Sequence, residues 1–133
     1  MKSLLFPLVI LVSLVMVNCN SNTPATSDET TVADSTKKMI TARIFLKPEY
    51  VSAFIQEAIP MIDSSNAEPG CEGYMLYQNP YDSTQLIFVE TWKDQAAIDN
   101  HFSMSYFKAF GPKTQDWLAR PTELTIMSVV KTN

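Results

Sequence analysis

Hydrophobic and polar residues follow regular patterns over the second two thirds of the chain, and these patterns predict strands and helices. Residues 39–47 alternate with a period of two, which is typical of a strand with one buried face. Over residues 51–62 the apolar residues recur at helical spacing and form one stripe, although Pro60 should kink or loosen this helix. Two further strands are predicted over residues 71–78 and 86–92, because turn-forming residues separate them.

The last third of the chain predicts a helical region and a final strand. Asp94 is placed to cap a first helix, and Ser103 or Ser105 can cap a second stretch that the Arg-Pro pair at 120–121 ends. Residues 124–130 then form the last strand. The order β-α-β-β-α-β predicts an α+β, ferredoxin-like fold, in which a four-stranded antiparallel sheet carries its helices on one face.

Both faces of this predicted sheet are apolar. Leu86 and Phe88 lie on one face of their strand, and Ile87 and Val89 lie on the other. The helices can cover only one face, and a second copy of the same sheet is the simplest cover for the other. We therefore expect a homodimer in which two sheets pack face to face.

A short apolar run near the N-terminus predicts a secretory signal. Residues 4–17 are apolar except for Pro7 and Ser13, and Lys2 precedes them. A run of about 14 residues is too short to span a bilayer of about 30 Å, but it is typical of the apolar core of a signal peptide. We expect removal of residues 1–18; an anchor that stays attached is the alternative.

The residues around Cys19 resemble the lipobox of bacterial lipoproteins, in which the cysteine becomes the lipidated N-terminus. Met16 and Asn18 replace the leucine and the small residue that this pattern favours, and an ordinary signal with an incidental cysteine is the alternative. Lipidation would anchor the protein in the cell envelope. Asn20 follows the cysteine where an inner-membrane lipoprotein has aspartate, which favours the outer membrane, facing the periplasm.

Composition predicts a tether and argues against one class of partner. Residues 19–37 are mostly small and polar, so they should form a flexible tether that leaves 38–133 as the folded domain. The chain has 10 Lys and Arg residues and 14 Asp and Glu residues; without Lys2 the mature charge is 9 minus 14, or −5. This acidic balance argues against nucleic acid as a partner.

The cysteines and the single histidine predict neither a disulfide nor a metal site. If Cys19 carries lipid, Cys71 stands alone and no intrachain disulfide can form. Cys71 is more typical of a small buried residue than of a nucleophile. His101 and the scattered carboxylates show no spacing typical of a metal site, so no metal is expected.

Two segments of the folded part carry a family resemblance. Residues 68–77, EPGCEGYMLY, place a glycine-rich turn before a strand, and residues 88–110 run from a strand into a helix that carries the only histidine. With these motifs, residues 39–131 resemble the antibiotic biosynthesis monooxygenase-type domain, a dimeric α+β barrel family that includes quinol monooxygenases and polyketide-ring oxygenases. The matching positions are Glu68, Gly70, Cys71, Gly73, Tyr74, Glu90, Trp92, Ala97, His101, Phe107, Lys108 and Phe110.

The resemblance implies oxygenation of a quinol or hydroxylated aromatic by O₂, with no metal, flavin or other cofactor. A substrate hydroxyl is deprotonated between sheet and helices, the anion passes an electron to O₂, and the two radicals recombine. His101 is the candidate base, since an unperturbed imidazole titrates near pH 6.5. Tyr74, Trp92 and Tyr106 could stack on or hydrogen-bond a flat ring, and Arg43 could pair with an anionic oxygen.

Each of these residues also has a structural interpretation. His101 could be a capping or core group, and the aromatic residues could serve core or dimer packing. Arg43 could simply pair with Glu90 or another acidic neighbour. Tyr106 stands where many quinol monooxygenase-like members have a second histidine. The alternative function is therefore a non-catalytic dimeric domain that binds or senses a small apolar ligand.

The haem-degrading branch of the same fold is not expected. It relies on an asparagine on the first strand, a tryptophan on the helix and a haem-ligating histidine further along. The corresponding positions here hold Ala42, His101 and Gly111.

Overall fold

The computed structural model describes residues 36–130, and this range has the predicted order of elements. The strands are β1 (Lys38–Leu46), β2 (Cys71–Asn79), β3 (Asp82–Trp92) and β4 (Leu118–Ser128). The helices are α1 (Val51–Asn66), α2 (Gln95–Ser103) and α3 (Ser105–Thr114), with 3₁₀ turns at Pro48–Tyr50 and Gln115–Trp117. Among residues 36–130, none of the helices combines the length and the hydrophobicity of a membrane-spanning segment.

The predicted signal peptide 1–18, the lipidation site Cys19 and all but the last two residues of the tether 19–37 lie outside the described residues. They therefore stay predictions, as does the placement of residues 131–133 in the folded domain.

The sheet has the strand order β2-β3-β1-β4, and every neighbouring pair is antiparallel. β3 lies between β1 and β2, which is the split βαβ arrangement. The inward residues of β1 and β3, such as Ile40 and Phe88, are buried against the helices, and α1 contributes Phe54 and Ala58 to the same core. The predicted ferredoxin-like α+β fold with helices on one sheet face is thus confirmed.

The last strand begins earlier than its sequence suggests. α3 ends at Thr114 and β4 starts at Leu118, so Arg120 and Pro121 lie inside a strand rather than at the end of a helix. β4 is an edge strand, and its pairing with β1 shifts register in this region. Proline cannot donate a backbone hydrogen bond to a neighbouring strand. A sheet therefore tolerates it at edge strands and bulges, where such a bond is not required. The prediction that Arg120-Pro121 ends the helix was wrong.

Asn66 joins the end of α1 to the edge strand β2. Its Oδ1 accepts a hydrogen bond from Tyr74 N at 2.9 Å, and its Nδ2 donates to Tyr74 O at 2.9 Å. These backbone groups lie on the outer edge of β2, the side away from β3. Without Asn66 they would have no partner on that side. The side chain of Tyr74 is thereby held on the inner face of the sheet, where it is buried.

Gly70 allows the tight turn between α1 and β2. Its φ is +97°, and an added Cβ would lie 2.7 Å from Ala97 Cβ on α2. Gly70 O accepts from Lys93 N at 2.8 Å, while Cys71 N donates to Glu68 O at 3.1 Å. The turn therefore lies against α2, and it carries Glu68 into the core.

Candidate functional site

A cavity of about 460 Å³ lies between the helix-covered face of the sheet and the helices. Its walls are mostly apolar and include Phe54, Phe88, Phe107 and Phe110, with Leu124 of β4 on one side. Volumes of about 300–1,000 Å³ with a few polar groups are typical of small-molecule sites. The cavity is therefore large enough for an aromatic ligand.

Glu90 of β3 and Tyr74 of β2 are the titratable groups among the described residues that line this cavity, and Thr114, Gln115 and Thr122 add neutral polar groups. Glu90 is only 3% exposed, and its Oε2 accepts from Trp92 Nε1 at 3.0 Å. The Tyr74 hydroxyl also hydrogen-bonds to Glu90. Register places Tyr74 directly opposite Glu90, so both side chains share the inner face.

Burial sets the acidity of these two groups. It raises the pKa of Glu90 to about 7, because the loss of water outweighs the hydrogen bonds from Trp92 and Tyr74, and Glu68 raises it further. The pKa of Tyr74 is raised well above its ordinary value, first by burial and then by Glu90. Near neutral pH, Glu90 can therefore exchange a proton while Tyr74 stays protonated.

His101 lies behind the cavity wall and is held by Glu68. Its Nδ1 is 2.6 Å from Glu68 Oε1, and the side chain of His101 is fully buried. The same carboxylate accepts hydrogen bonds from the Tyr106 hydroxyl and, at 3.2 Å, from Asn100 Nδ2. A carboxylate in this position fixes both the orientation of an imidazole and the nitrogen that carries its proton.

The second ring nitrogen of His101 is an unprotonated acceptor. Burial lowers the pKa of His101 more than Glu68 raises it, so the ring is neutral near pH 7, and the 2.6 Å contact with Glu68 assigns the ring proton to Nδ1. Nε2 is buried and has no hydrogen-bond partner within residues 36–130. The ring lies 4.4 Å from Phe107, 4.7 Å from Trp92 and 5.4 Å from Tyr74, measured between ring centroids. Phe107 and Tyr74 line the cavity, whereas His101 does not.

Tyr106 faces a different space. It lines a smaller cavity of about 300 Å³ between α1 and α3, near Glu57 and Lys113. Burial and the hydrogen bond to Glu68 raise the pKa of Tyr106 to about 12, so its hydroxyl stays a donor. In this arrangement Tyr106 supports the carboxylate that holds His101.

Arg43 lies away from the cavity. It pairs in register with Ile87, on the sheet face that the helices do not cover, and its side chain is 56% exposed. Its Nη1 is 3.4 Å from Glu123 Oε2, and its guanidinium lies 5.6 Å from the centre of the Phe45 ring. An ion pair with an acidic neighbour is thus what the structure shows, and that neighbour is Glu123 rather than Glu90.

The predicted site residues therefore fall into three places. Tyr74 lines the larger cavity, Trp92 and Tyr106 lie with His101 behind its wall, and Arg43 is on the opposite face. Their proposed roles stay predictions, and so does the absence of a cofactor. Within 36–130 no three His, Cys, Asp or Glu residues are grouped to hold a metal ion.

Two carboxylates were not predicted as site groups. Glu90 lies between Phe88 and Trp92 on the buried face of β3. Carboxyl groups are rarely buried, so this position in the alternating pattern could have indicated a functional group. Glu68 precedes a Pro-Gly turn, and no periodic pattern indicates that its side chain turns inward.

Comparisons with known proteins identify the family. Residues 39–113 match the family model described as "Antibiotic biosynthesis monooxygenase". The chain is 34% identical over 94 residues to the uncharacterized protein sll1783 of Synechocystis, covering 71% of this chain and 64% of that protein, less than two thirds of its length. It is 30% identical over 86 residues to "Putative monooxygenase YcnE" of Bacillus subtilis, covering 65% of this chain and 90% of YcnE.

The fold is shared with solved structures. A conserved protein from Methanosarcina mazei Go1 superposes with a TM-score of 0.68 at 29% identity, covering 71% of this chain and 93% of that one. Sequence match, fold and the order of motifs agree, and the chain belongs to the antibiotic biosynthesis monooxygenase family.

Proposed function

We propose that the protein is a monooxygenase that acts on a quinol or similar hydroxylated aromatic without a metal or flavin. The observation that carries this proposal is the aromatic-walled cavity of about 460 Å³ with Tyr74 and Glu90 at its wall. The relative YcnE of Bacillus subtilis, described as a "Putative monooxygenase", supports the same reaction class. One oxygen atom enters the ring and the other leaves as water, so a hydroquinol and O₂ give a hydroxyquinone and H₂O.

The cavity suits this chemistry because it combines an apolar enclosure with few polar groups. Ionisation of the substrate hydroxyl makes the ring electron-rich enough to reduce O₂, and apolar walls keep water away from the radical pair. The hydroxyl of Tyr74 can donate a hydrogen bond to a developing oxyanion. His101 Nε2 could take a proton only if the side chains that separate it from the cavity moved.

Oxygen uptake tests the proposed function. The purified protein should consume O₂ with at least one member of a hydroquinol panel and form one hydroxyquinone for each O₂. Leu124→Trp, at the half-exposed side of the cavity, should cut the rate by about tenfold or more by blocking access. Tyr81→Trp, on a side chain that is 97% exposed, is the matched control and should not change the rate. Uptake no greater than in buffer across the whole panel would reject the proposal.

A homodimer is part of the same proposal. The sheet face opposite the helices exposes Met75, Tyr77 and Met127, each 40–49% accessible, around the half-buried Val89. A second sheet would remove this apolar surface from water. Sedimentation equilibrium should give a dimer mass.

Val89→Lys should shift this equilibrium to the monomer, because it places a charge in the centre of the proposed interface. Ser83→Lys, at the exposed β2–β3 hairpin, should leave the dimer intact. A wild-type monomer at assay concentrations would contradict the dimer.

We also propose that the domain is tethered to the cell envelope through a lipid on Cys19, with the reaction on the periplasmic side. The apolar run 4–17 and the polar stretch that follows Cys19 support this location. The full chain should partition with membranes, and Cys19→Ser should release it. Wild-type protein in the soluble fraction would exclude the tether.

Non-catalytic ligand binding is the second candidate. It is favoured by the position of His101, which is fully buried and does not line the cavity. This function predicts saturable binding of small aromatics with no O₂ consumption, so parallel measurement of binding and uptake separates the two candidates.

A further inference from the structure

Glu90 has a distinctive place in the larger cavity. Among the described residues that line this cavity it is the only carboxyl group, and none of them is Lys, Arg or His. A ligand in this space therefore meets one group able to accept a proton near neutral pH and no cationic group to offset a negative charge.

The carboxyl group of Glu90 can accept further hydrogen bonds from a ligand. An ionised carboxylate offers about four lone-pair positions on its two oxygens. The protein supplies two donors, Trp92 Nε1 at 3.0 Å from Oε2 and the hydroxyl of Tyr74. These bonds hold the group in one orientation and leave acceptor positions for a substrate hydroxyl.

The groups around Glu90 do not compete for this role. Glu68 lies nearby, but its oxygens already accept from His101, Tyr106 and Asn100. Cys71 and Tyr74 on β2 are further titratable neighbours, and burial raises the pKa of each, so both stay protonated and neutral. Glu90 is thus the carboxylate that a ligand in the cavity can reach.

We propose that Glu90 binds the substrate hydroxyl and accepts its proton, and that the same carboxylate restricts the cavity to uncharged hydroxylated aromatics. This rests on the proposed function. The substrate O–H bond breaks, an O–H bond forms on the carboxyl group, and the electron pair remains on the substrate oxygen. Tyr74 and Trp92 orient the acceptor, and His101 is a positioning residue that packs behind Tyr74 and Trp92.

Selectivity follows from the same geometry. A neutral phenol can donate a hydrogen bond to Glu90, which is a charge-assisted interaction in a cavity with mostly apolar walls. An aromatic carboxylate would bring a second negative charge close to the first, with no cation in the cavity wall to compensate. The cavity should therefore discriminate between ligands of the same shape and different charge.

Binding of two matched probes tests the selectivity without relying on turnover. At about pH 8 free 2-naphthol is uncharged, since phenols ionise near pH 10, whereas 2-naphthoate is an anion. We expect the full-length protein to bind 2-naphthol and to exclude 2-naphthoate, measured by tryptophan fluorescence. Glu90→Gln should weaken 2-naphthol binding by about tenfold or more and should admit 2-naphthoate. Glu57→Gln, at the smaller cavity, should change neither affinity.

The pH dependence of O₂ uptake tests the proton transfer. A base must be ionised, so the wild-type rate should rise with pH through about 7, the pKa of Glu90, and level off above it. Glu90→Gln should be slower by at least about 100-fold and should lose this rise. His101→Gln should lower the rate but keep its rise with pH. If His101 were the base, this substitution would abolish the rise.

The outcomes separate the two proposals. Unchanged probe selectivity in Glu90→Gln, or loss of the pH-dependent rise in His101→Gln alone, would overturn the assignment of Glu90. Failure of the wild-type protein to bind 2-naphthol would overturn it too. If selectivity follows Glu90 but no hydroquinol is oxidised, the monooxygenase reaction and the base role fail together, while the binding role of Glu90 stands.

Discussion

Replacing Glu68 with alanine should lower the free energy of unfolding by about 2–4 kcal/mol, because each buried polar group left without a partner costs about 1–3 kcal/mol. Glu68 is 8% exposed and holds His101 Nδ1 at 2.6 Å, together with the Tyr106 hydroxyl. His101 Nε2 already lacks a partner, so the substitution leaves both nitrogens of a fully buried ring unsatisfied. Urea denaturation at one fixed protein concentration measures the loss.

Glu72→Ala is the matched control for this substitution. Glu72 lies four residues further along the chain and forms an ion pair with Lys37 at 2.7 Å, but both side chains are substantially exposed. Exposed ion pairs contribute at most about 1 kcal/mol. If Glu68→Ala is no more destabilising than Glu72→Ala, the buried Glu68–His101 pair does not support the fold as described.

Gly70→Ala should destabilise the protein by about 2–3 kcal/mol for two additive reasons. A residue with a side chain at a φ of +97° is strained by about 1–2 kcal/mol. The new Cβ would also lie 2.7 Å from Ala97 Cβ, so the turn and α2 must separate. Thermal and urea denaturation measure the loss of stability.

Gly73→Ala separates this effect from a general intolerance of alanine. Nothing lies within 4 Å of a Cβ at Gly73, and the change should stay within about 0.5 kcal/mol. The Gly70→Ala, Ala97→Gly double variant should recover part of the loss, because it removes the clash but keeps the backbone strain. Equal stability of Gly70→Ala and Gly73→Ala would contradict the close approach of the turn to α2.

The fold was predictable because its signals are local. Alternation over β1, the apolar stripe of α1 and the aspartate that caps α2 each depend on neighbouring residues, and Asp94 Oδ1 indeed accepts from Ala97 N at 2.8 Å. The start of β4 was not predictable in this way. When only the neighbouring residues are considered, Pro121 indicates the end of a regular element. Its position on an edge strand, which only the sheet order reveals, makes it compatible with β4.

The candidate site was only partly predictable, because its groups are distant in sequence. Tyr74 and Glu90 are 16 positions apart, and the pairing of β2 with β3 brings them opposite each other. Glu68 and His101 are 33 positions apart and meet only because the turn at Gly70 packs on α2. The prediction that His101 is the base rests on the ordinary pKa of an imidazole. Burial lowers the pKa of His101, and that burial depends on the whole fold.

The sequence by itself determined the order of the elements, the two apolar sheet faces and the family. These follow from short-range periodicity and from residue identity at a few positions. The tertiary structure alone decided where the ionisable groups lie: Glu90 lines the cavity beside Tyr74, His101 lies behind its wall and Arg43 is on the other sheet face. The reason is that strand register sets the face on which each side chain lies, and burial then sets its acidity.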